Sequence, residues 1–206
     1  MLLEHEGVRP RVDGSARIAA NATICGDVSI GPNCSVGFGA VLSAESGSIS
    51  IGANCIIMDT AVLRGVRNAP LTLGDNVLVG PHSYLTGCVI DDDVFLAKGC
   101  TVFNGARVGR GAEVRINGIV HLRTVLPAGA TVPIGWIAVG DPARILPPGA
   151  HEEIWAVQEP LDFPKFVFGL ERPPEGRSLM PELMQRYASA LVRRHASDHE
   201  IEPDGA

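Results

Sequence analysis

The chain has 206 residues, a net charge of −6, 46% apolar residues and only 5% aromatics. So acidic a chain lacks the basic face that phosphate neutralisation needs, which excludes nucleic acid as a partner. No apolar run approaches the ~20 residues of a membrane span, so no membrane partner is expected either.

The opening MLLEHEGVRP has no basic stretch leading into an apolar one. No secretory leader is read there, and a cytoplasmic location is expected. From Ile18 onward, aliphatic residues recur every six positions: Ile18, Ile24, Ile30, Val36 and Leu42. After an interruption the series resumes at Ile51, Ile57 and Leu63, breaks at GVRNAPLT, and continues through Leu73, Val79 and Leu85. One five-residue step leads to Ile90, and steps of six then run on to Val132. A period of six suits neither a helix at 3.6 nor a free strand at 2. It suits a short strand plus a turn, with three such units closing a triangular coil of about eighteen residues.

Four residues after each aliphatic lies a second, small-residue column that includes Ala22, Cys34, Ala40, Cys55, Ala61, Cys100, Ala106 and Ala112. Glycine often follows the aliphatic directly, as at Gly31, Gly52, Gly74 and Gly109. The pattern predicts an all-β solenoid, a parallel β-helix over residues 8–147, with large aliphatics inside and small residues in its corners. Five cysteines, odd in number and without a Cys-x-x-Cys pair, make neither a disulfide framework nor a zinc ribbon. Cys34, Cys55 and Cys100 fall in the small column and read as packing thiols, whereas Cys25 and Cys88 lie off it.

WIAVGDPARILPPG ends the repeat. Residues 148–196 then read as C-terminal α-helices joined by a strap. HEEIWAVQ (151–158) is a short helix capped by His151. EPLDFPKFVFGLERPPEGR is an extended strap whose Phe163, Phe166 and Phe168 suit docking on a surface. Ser178 caps a second helix that carries Leu183, Met184, Tyr187, Leu191 and Val192 at helical spacing. Residues 197–206 read as a disordered tail.

ANATICGDVSIGPNCSVGFGAVL, IGANCIIMDTAVLRG, PLTLGDNVLVGP, GCVIDDDVFLAKGC and VGDPARILPP together resemble the γ-class carbonic anhydrase family over roughly residues 10–147. Several of these segments are shared with hexapeptide acyltransferases. The resemblance implies a left-handed winding, an exception to the usual crossover rule, and a homotrimer with its cleft between subunits. It also implies three zinc-binding histidines, whose positions are held here by Arg64, Pro81 and Thr86. The family's outer Arg and Asp correspond to Ser43 and Glu45, and its Gln-Asp pair to Met58 and Asp59. Catalytic zinc needs three nitrogen or anionic ligands and an open position, and a guanidinium never ligates. No metal site of the family's usual kind is therefore expected, and no zinc-dependent hydration of carbon dioxide. Arg64 instead suits a small anion or small-molecule substrate, unless it is spent on an ion pair with Asp59 or Glu45.

Counting by coils, Arg64, Thr86, Phe103 and His121 should stack in one column. Tyr84 and Asn104 are expected to join Glu45 and Asp59 in a polar pocket there. His82 is the candidate catalytic residue, one position after a family ligand. Three readings of it stand: a turn or interface residue, a general base, or a ligand in a rearranged metal site. As a general base it would make the protein an acyltransferase using coenzyme A; otherwise no cofactor is expected. A purely structural role for the cleft is a further reading. His5, His195 and His199 lie near the termini and carry no signal in the sequence.

Overall fold

The computed structural model describes residues 1–174 and 176–201. It is a left-handed parallel β-helix with C-terminal helices, and its inward positions form three vertical columns of seven residues. The first runs Ile18, Val36, Ile57, Val79, Leu96, Val114, Val132. The second runs Ile24, Leu42, Leu63, Leu85, Val102, Val120, Ala138. The third runs Val12, Ile30, Ile51, Leu73, Ile90, Val108, Leu126. Apart from Val12 and Ile18 in the first coil, every member is buried. Each large aliphatic contributes about 1.5–3 kcal/mol on burial. The columns are the six-residue period of the sequence, folded.

The corners differ from one another. At one, Asn33, Asn54, Asn76 and Asp93 turn the chain in the left-handed region, which Asn and Asp tolerate better than other non-glycine residues. Their side chains bond in a ladder, Asn33 to Asn54 at 3.3 Å, Asn54 to Asn76 at 3.2 Å and Asn76 to Asp93 at 2.9 Å. At a second corner Gly39, Thr60, His82, Gly99, Asn117 and Gly135 hold the same backbone turn. The third corner, between the second and third columns, takes every irregular step of the sequence. Leu42 to Ile51 spans nine residues, Leu63 to Leu73 ten, and Leu85 to Ile90 five.

The extra residues at this third corner are tightly packed. Val41–Ile51 runs through it as one strand, and Val66 and Ala69 close a turn by two backbone bonds of 3.2 and 3.0 Å. Layers pass so near each other that a Cβ on Gly65 would stand 2.0 Å from the Gly47 carbonyl oxygen. Only a residue without a side chain fits.

Strand pairing extends beyond residues 8–147. Leu2–Glu4 lies parallel to Ile24–Cys25 on one side and antiparallel to His199–Ile201 on the other. The expected disorder at 197–206 is therefore corrected at 199–201, which find backbone partners on the N-terminal strand; 202–206 lie outside the described residues. At the other end Ile137–Val139 pairs antiparallel with Arg144–Leu146.

Helix α1, His151–Gln158, begins at the expected residue, but His151 does not cap it: the cap position is Ala150, with no side-chain bond. The strap is not extended. Glu159–Leu161 forms a 3₁₀ turn and Pro164–Phe168 a single π-helical turn, each with a proline near its start that presets a helical φ. Helix α2, Met180–Arg194, is preceded by Ser178, whose Oγ accepts the Met180 N–H at 3.2 Å. Of its apolar stripe Leu183 is buried, while Met184, Tyr187 and Val192 stay exposed. No helix among the described residues is long and apolar enough to cross a membrane.

Candidate functional site

The irregular corner, the π-helical turn and α2 enclose a cavity of about 760 Å³. Its floor carries Arg64, Tyr84, Thr86 and Asn104, four of the residues singled out in the sequence. The predicted column is present. Thr86 pairs with Arg64, and Phe103 follows a strand in register with the one preceding His121. The Phe103 and His121 rings lie 5.6 Å apart. His121 continues the column outside the cavity wall; burial lowers its pKa, and its Nδ1 has no hydrogen-bond partner among the described residues.

Aromatic rings form the opposite wall. Phe163 and Phe168 meet edge to face at 5.8 Å, and Phe168 meets Tyr187 at 6.2 Å. The phenylalanines of the expected strap thus dock on this chain's own helix and cleft. Four arginines, Arg64, Arg67, Arg186 and Arg194, line the cavity, and no aspartate or glutamate does. Three of the four face carboxylates outside the lining: Arg64 and Arg194 face Glu45 at 3.1 and 3.6 Å, and Arg186 faces Glu182 at 2.7 Å.

Glu45 stands behind the floor and organises it. Its side chain is 12% exposed and accepts from Ser43 Oγ at 2.6 Å and from the Arg64 guanidinium at 3.1 and 3.2 Å. Arg194 lies 3.6 Å and His195 Nε2 3.3 Å from its other oxygen. Burial disfavours its charge, but the Ser43 hydroxyl, Arg64 and His195 outweigh burial and hold the carboxyl below its ordinary range. Burial likewise opposes the charge on Arg64, and Glu45, with Tyr84 and Tyr187 nearby, restores it and raises the pKa. Of the two partners considered for Arg64, the structure supplies Glu45.

His82 and Asp59 do not reach this pocket. Both belong to the second, regular corner. The Asp59 carboxylate accepts the Phe38 N–H at 2.7 Å, and His82 is an exposed left-handed turn residue whose Nδ1 meets Thr60 Oγ1 at 2.5 Å. Six-residue spacing places His82 four residues from the cavity-lining Thr86 but cannot show that the chain turns a corner between the two.

What sequence reasoning missed is a group at the chain ends. His5, 3% exposed, and His195 both contact Asp198, each through Nδ1 at 2.6 Å. The Asp198 hydrogen bond raises the pKa of His195; burial opposes it, and Glu45 adds a lesser upward push. Burial disfavours charge on Asp198, but His195 and His5 override it and lower its pKa. Residues 193 positions apart leave no mark of this in a periodic sequence.

Comparison with known proteins follows this geometry. A family model described as "Bacterial transferase hexapeptide (six repeats)" matches residues 10–44. A protein of Methanocaldococcus jannaschii named "Probable carbonic anhydrase" is 31% identical over 148 residues, which cover 72% of this chain and 89% of that one. The chain belongs to the γ-carbonic-anhydrase-like family. Gamma carbonic anhydrase 1, mitochondrial, of Arabidopsis thaliana is 32% identical over 151 residues, 70% of this chain and 53% of the relative. The chain thus spans about half the length of such relatives. Among solved structures, a hexapeptide transferase family protein from Anaplasma phagocytophilum matches with a TM-score of 0.50 at 29% identity, covering 78% of this chain and 91% of that one. Carbonic anhydrases and transferases therefore both stand near this member of the family.

Proposed function

We propose that this γ-carbonic-anhydrase-like chain binds a small carboxylate anion with an apolar body in the cleft beside Arg64, and is not a zinc carbonic anhydrase of the family's usual kind. The observation that carries this is the lining: four guanidinium groups, aromatic walls and no carboxylate. Guanidinium forks match carboxylates in two parallel hydrogen bonds. Rings beside them favour an occupant with apolar surface. Tyr84, Thr86 and Asn104 add polar groups that can orient it.

The carbonic anhydrases among the relatives raise the question of zinc. The residues at the three positions where the resemblance places histidines do not fit that ion. Arg64 is cationic and engaged with Glu45, Pro81 has no side-chain donor atom, and Thr86 is a buried neutral hydroxyl. No step through zinc is derived there. A homotrimer, implied by the resemblance, would place further residues at the cleft mouth.

Calorimetric titration with benzoate, acetate and bicarbonate tests the reading. Benzoate should bind more tightly than acetate, and Arg64→Met should weaken it at least tenfold. Equal heats for wild type and the variant would remove the proposal, as would zinc-dependent carbon dioxide hydration lost on Thr86→Ala.

A second reading, acyl transfer from coenzyme A, draws support from the hexapeptide transferase structure. It assigns His82 as general base. His82 lies outside the cavity and bonds to Thr60, not to a carboxylate, so within one chain no acid orients it. Acetyl-coenzyme A turnover by wild type but not by His82→Ala would favour this reading over the first.

A further inference from the structure

The two ends of the chain build a second polar cluster behind the cleft. His5 is held on the first coil by two backbone bonds to Val8, 3.1 and 2.9 Å long. Gly26 leaves it space, for a Cβ there would stand 3.3 Å from His5 Cβ. His195 follows α2, and Asp198 lies three residues on. Asp198 Oδ1 meets His5 Nδ1 and Asp198 Oδ2 meets His195 Nδ1, both at 2.6 Å.

The far nitrogens of both rings end on one residue. His5 Nε2 lies 3.1 Å from the Glu45 carbonyl oxygen, and His195 Nε2 lies 3.3 Å from Glu45 Oε2. A carbonyl and an ionised carboxylate only accept, so these contacts suit a hydrogen on each Nε2. A neutral imidazole with its hydrogen on Nε2 presents a bare lone pair at Nδ1. Two such lone pairs face one carboxylate, which also only accepts. In that tautomer the group is satisfied by positive charge among these atoms, as protons on both rings or as one cation. An acceptor holding the far N–H of each ring is the arrangement found behind metal-bound histidines.

We propose that His5, His195 and Asp198 form a site for one divalent transition cation of the zinc class, with Glu45 fixing both rings. Their ligand atoms lie within 4.8 Å of one another. Around a tetrahedral zinc at ~2.0–2.1 Å, neighbouring ligand atoms stand roughly 3.3 Å apart, so each short contact opens by less than an ångström. Arg64 and Arg194 already meet the charge of Glu45, which leaves Asp198 as the negative ligand. The imidazole rings, 5.4 Å apart at their centroids and inclined at 46°, fan about a common point. His195 is 38% exposed, which gives the ion a way in and leaves an open coordination position. Binding would exchange Nδ1 protons for metal. It would also tie the end of α2, a wall of the cleft, to the first coil. The site shares no residue with Arg64, Pro81 or Thr86 and does not depend on what the cleft binds.

The test is zinc titration of the full chain, stripped with a chelator and measured against a chromogenic competitor, followed by cobalt(II) absorption spectroscopy. One zinc per chain is expected, with tetrahedral cobalt bands in the visible. His195→Ala and Asp198→Asn should each weaken zinc at least tenfold and abolish those bands, with circular dichroism confirming that both fold. His82→Ala and His199→Ala should stay within twofold of wild type. Asn104→Ala alters the cleft floor and should retain zinc, so a failure of the anion reading cannot pass for a failure of this one. Absence of saturable one-to-one binding overturns the proposal, as does zinc affinity that survives both His195→Ala and Asp198→Asn.

Discussion

Replacing Glu45 by glutamine keeps the volume of the side chain and removes its charge, which tests how far this one carboxylate organises the irregular corner. Glu45 is 12% exposed and faces Ser43 Oγ at 2.6 Å, Arg64 at 3.1 Å, His195 at 3.3 Å and Arg194 at 3.6 Å. Removing one partner of a fully buried ion pair costs about 3–5 kcal/mol. Arg64 is 29% exposed and can recover some hydration, and the glutamine carbonyl still accepts one bond. The expected loss is therefore about 2–3 kcal/mol. For a chain of this length each kcal/mol is ~2–4 °C in Tm, so Glu45→Gln should melt roughly 5–10 °C below wild type. The assay is far-UV circular dichroism on heating, with a chelator present and at one protein concentration, because assembly and bound metal both shift Tm. A Tm within about 1 °C of wild type would refute the reasoning, since Glu45 would then be a bystander to the charges around it.

Four more outcomes follow from the packing. Burial pushes the thiols of Cys25, Cys55 and Cys100 up to about 11 and that of Cys88 to about 12. A chromogenic disulfide reagent at pH 8 should accordingly label none of the five buried cysteines until urea unfolds the chain. The unfolded chain loses thiol protons near the ordinary value of 9.0 while the folded chain keeps them, so the urea midpoint should fall as pH rises past about 9. Gly65→Ala should abolish folding or cost more than ~4 kcal/mol, read as loss of soluble expression or of the thermal transition, because its Cβ would meet backbone at 2.0 Å. Leu85→Ala, in the centre of a column and fully buried, should cost about 2–5 kcal/mol in urea unfolding.

The prism was legible because its physics is periodic. Each coil must present one large aliphatic per face, so Ile57, Val79 and Leu96 announce themselves by spacing alone. The cleft was half legible. The interruptions after Leu42 and Leu63 were visible, and Arg64, Tyr84, Thr86 and Asn104 line one cavity with Glu45 against Arg64. His82 and Asp59 were misplaced because a triangular coil turns about 120° between adjacent strands, and proximity in sequence conceals that turn. The C-terminal contacts were not legible. Their partners come from the far end of the chain, and two histidines near the termini look the same whether solvated or converged on Asp198.

Every irregular step falls at a single vertex of the triangle, and this separates architecture from recognition. In a solenoid each coil rests only on its neighbours, so the two regular vertices can carry the stack while the third changes length and composition. A combinatorial library confined to Ser46 and Arg67, cavity-lining residues of this vertex that are not buried, would therefore alter the lining and leave the ladders of Asn54 and Thr60 untouched. Selectivity on this scaffold is set where the inserts face the C-terminal helices, while the frame stands still.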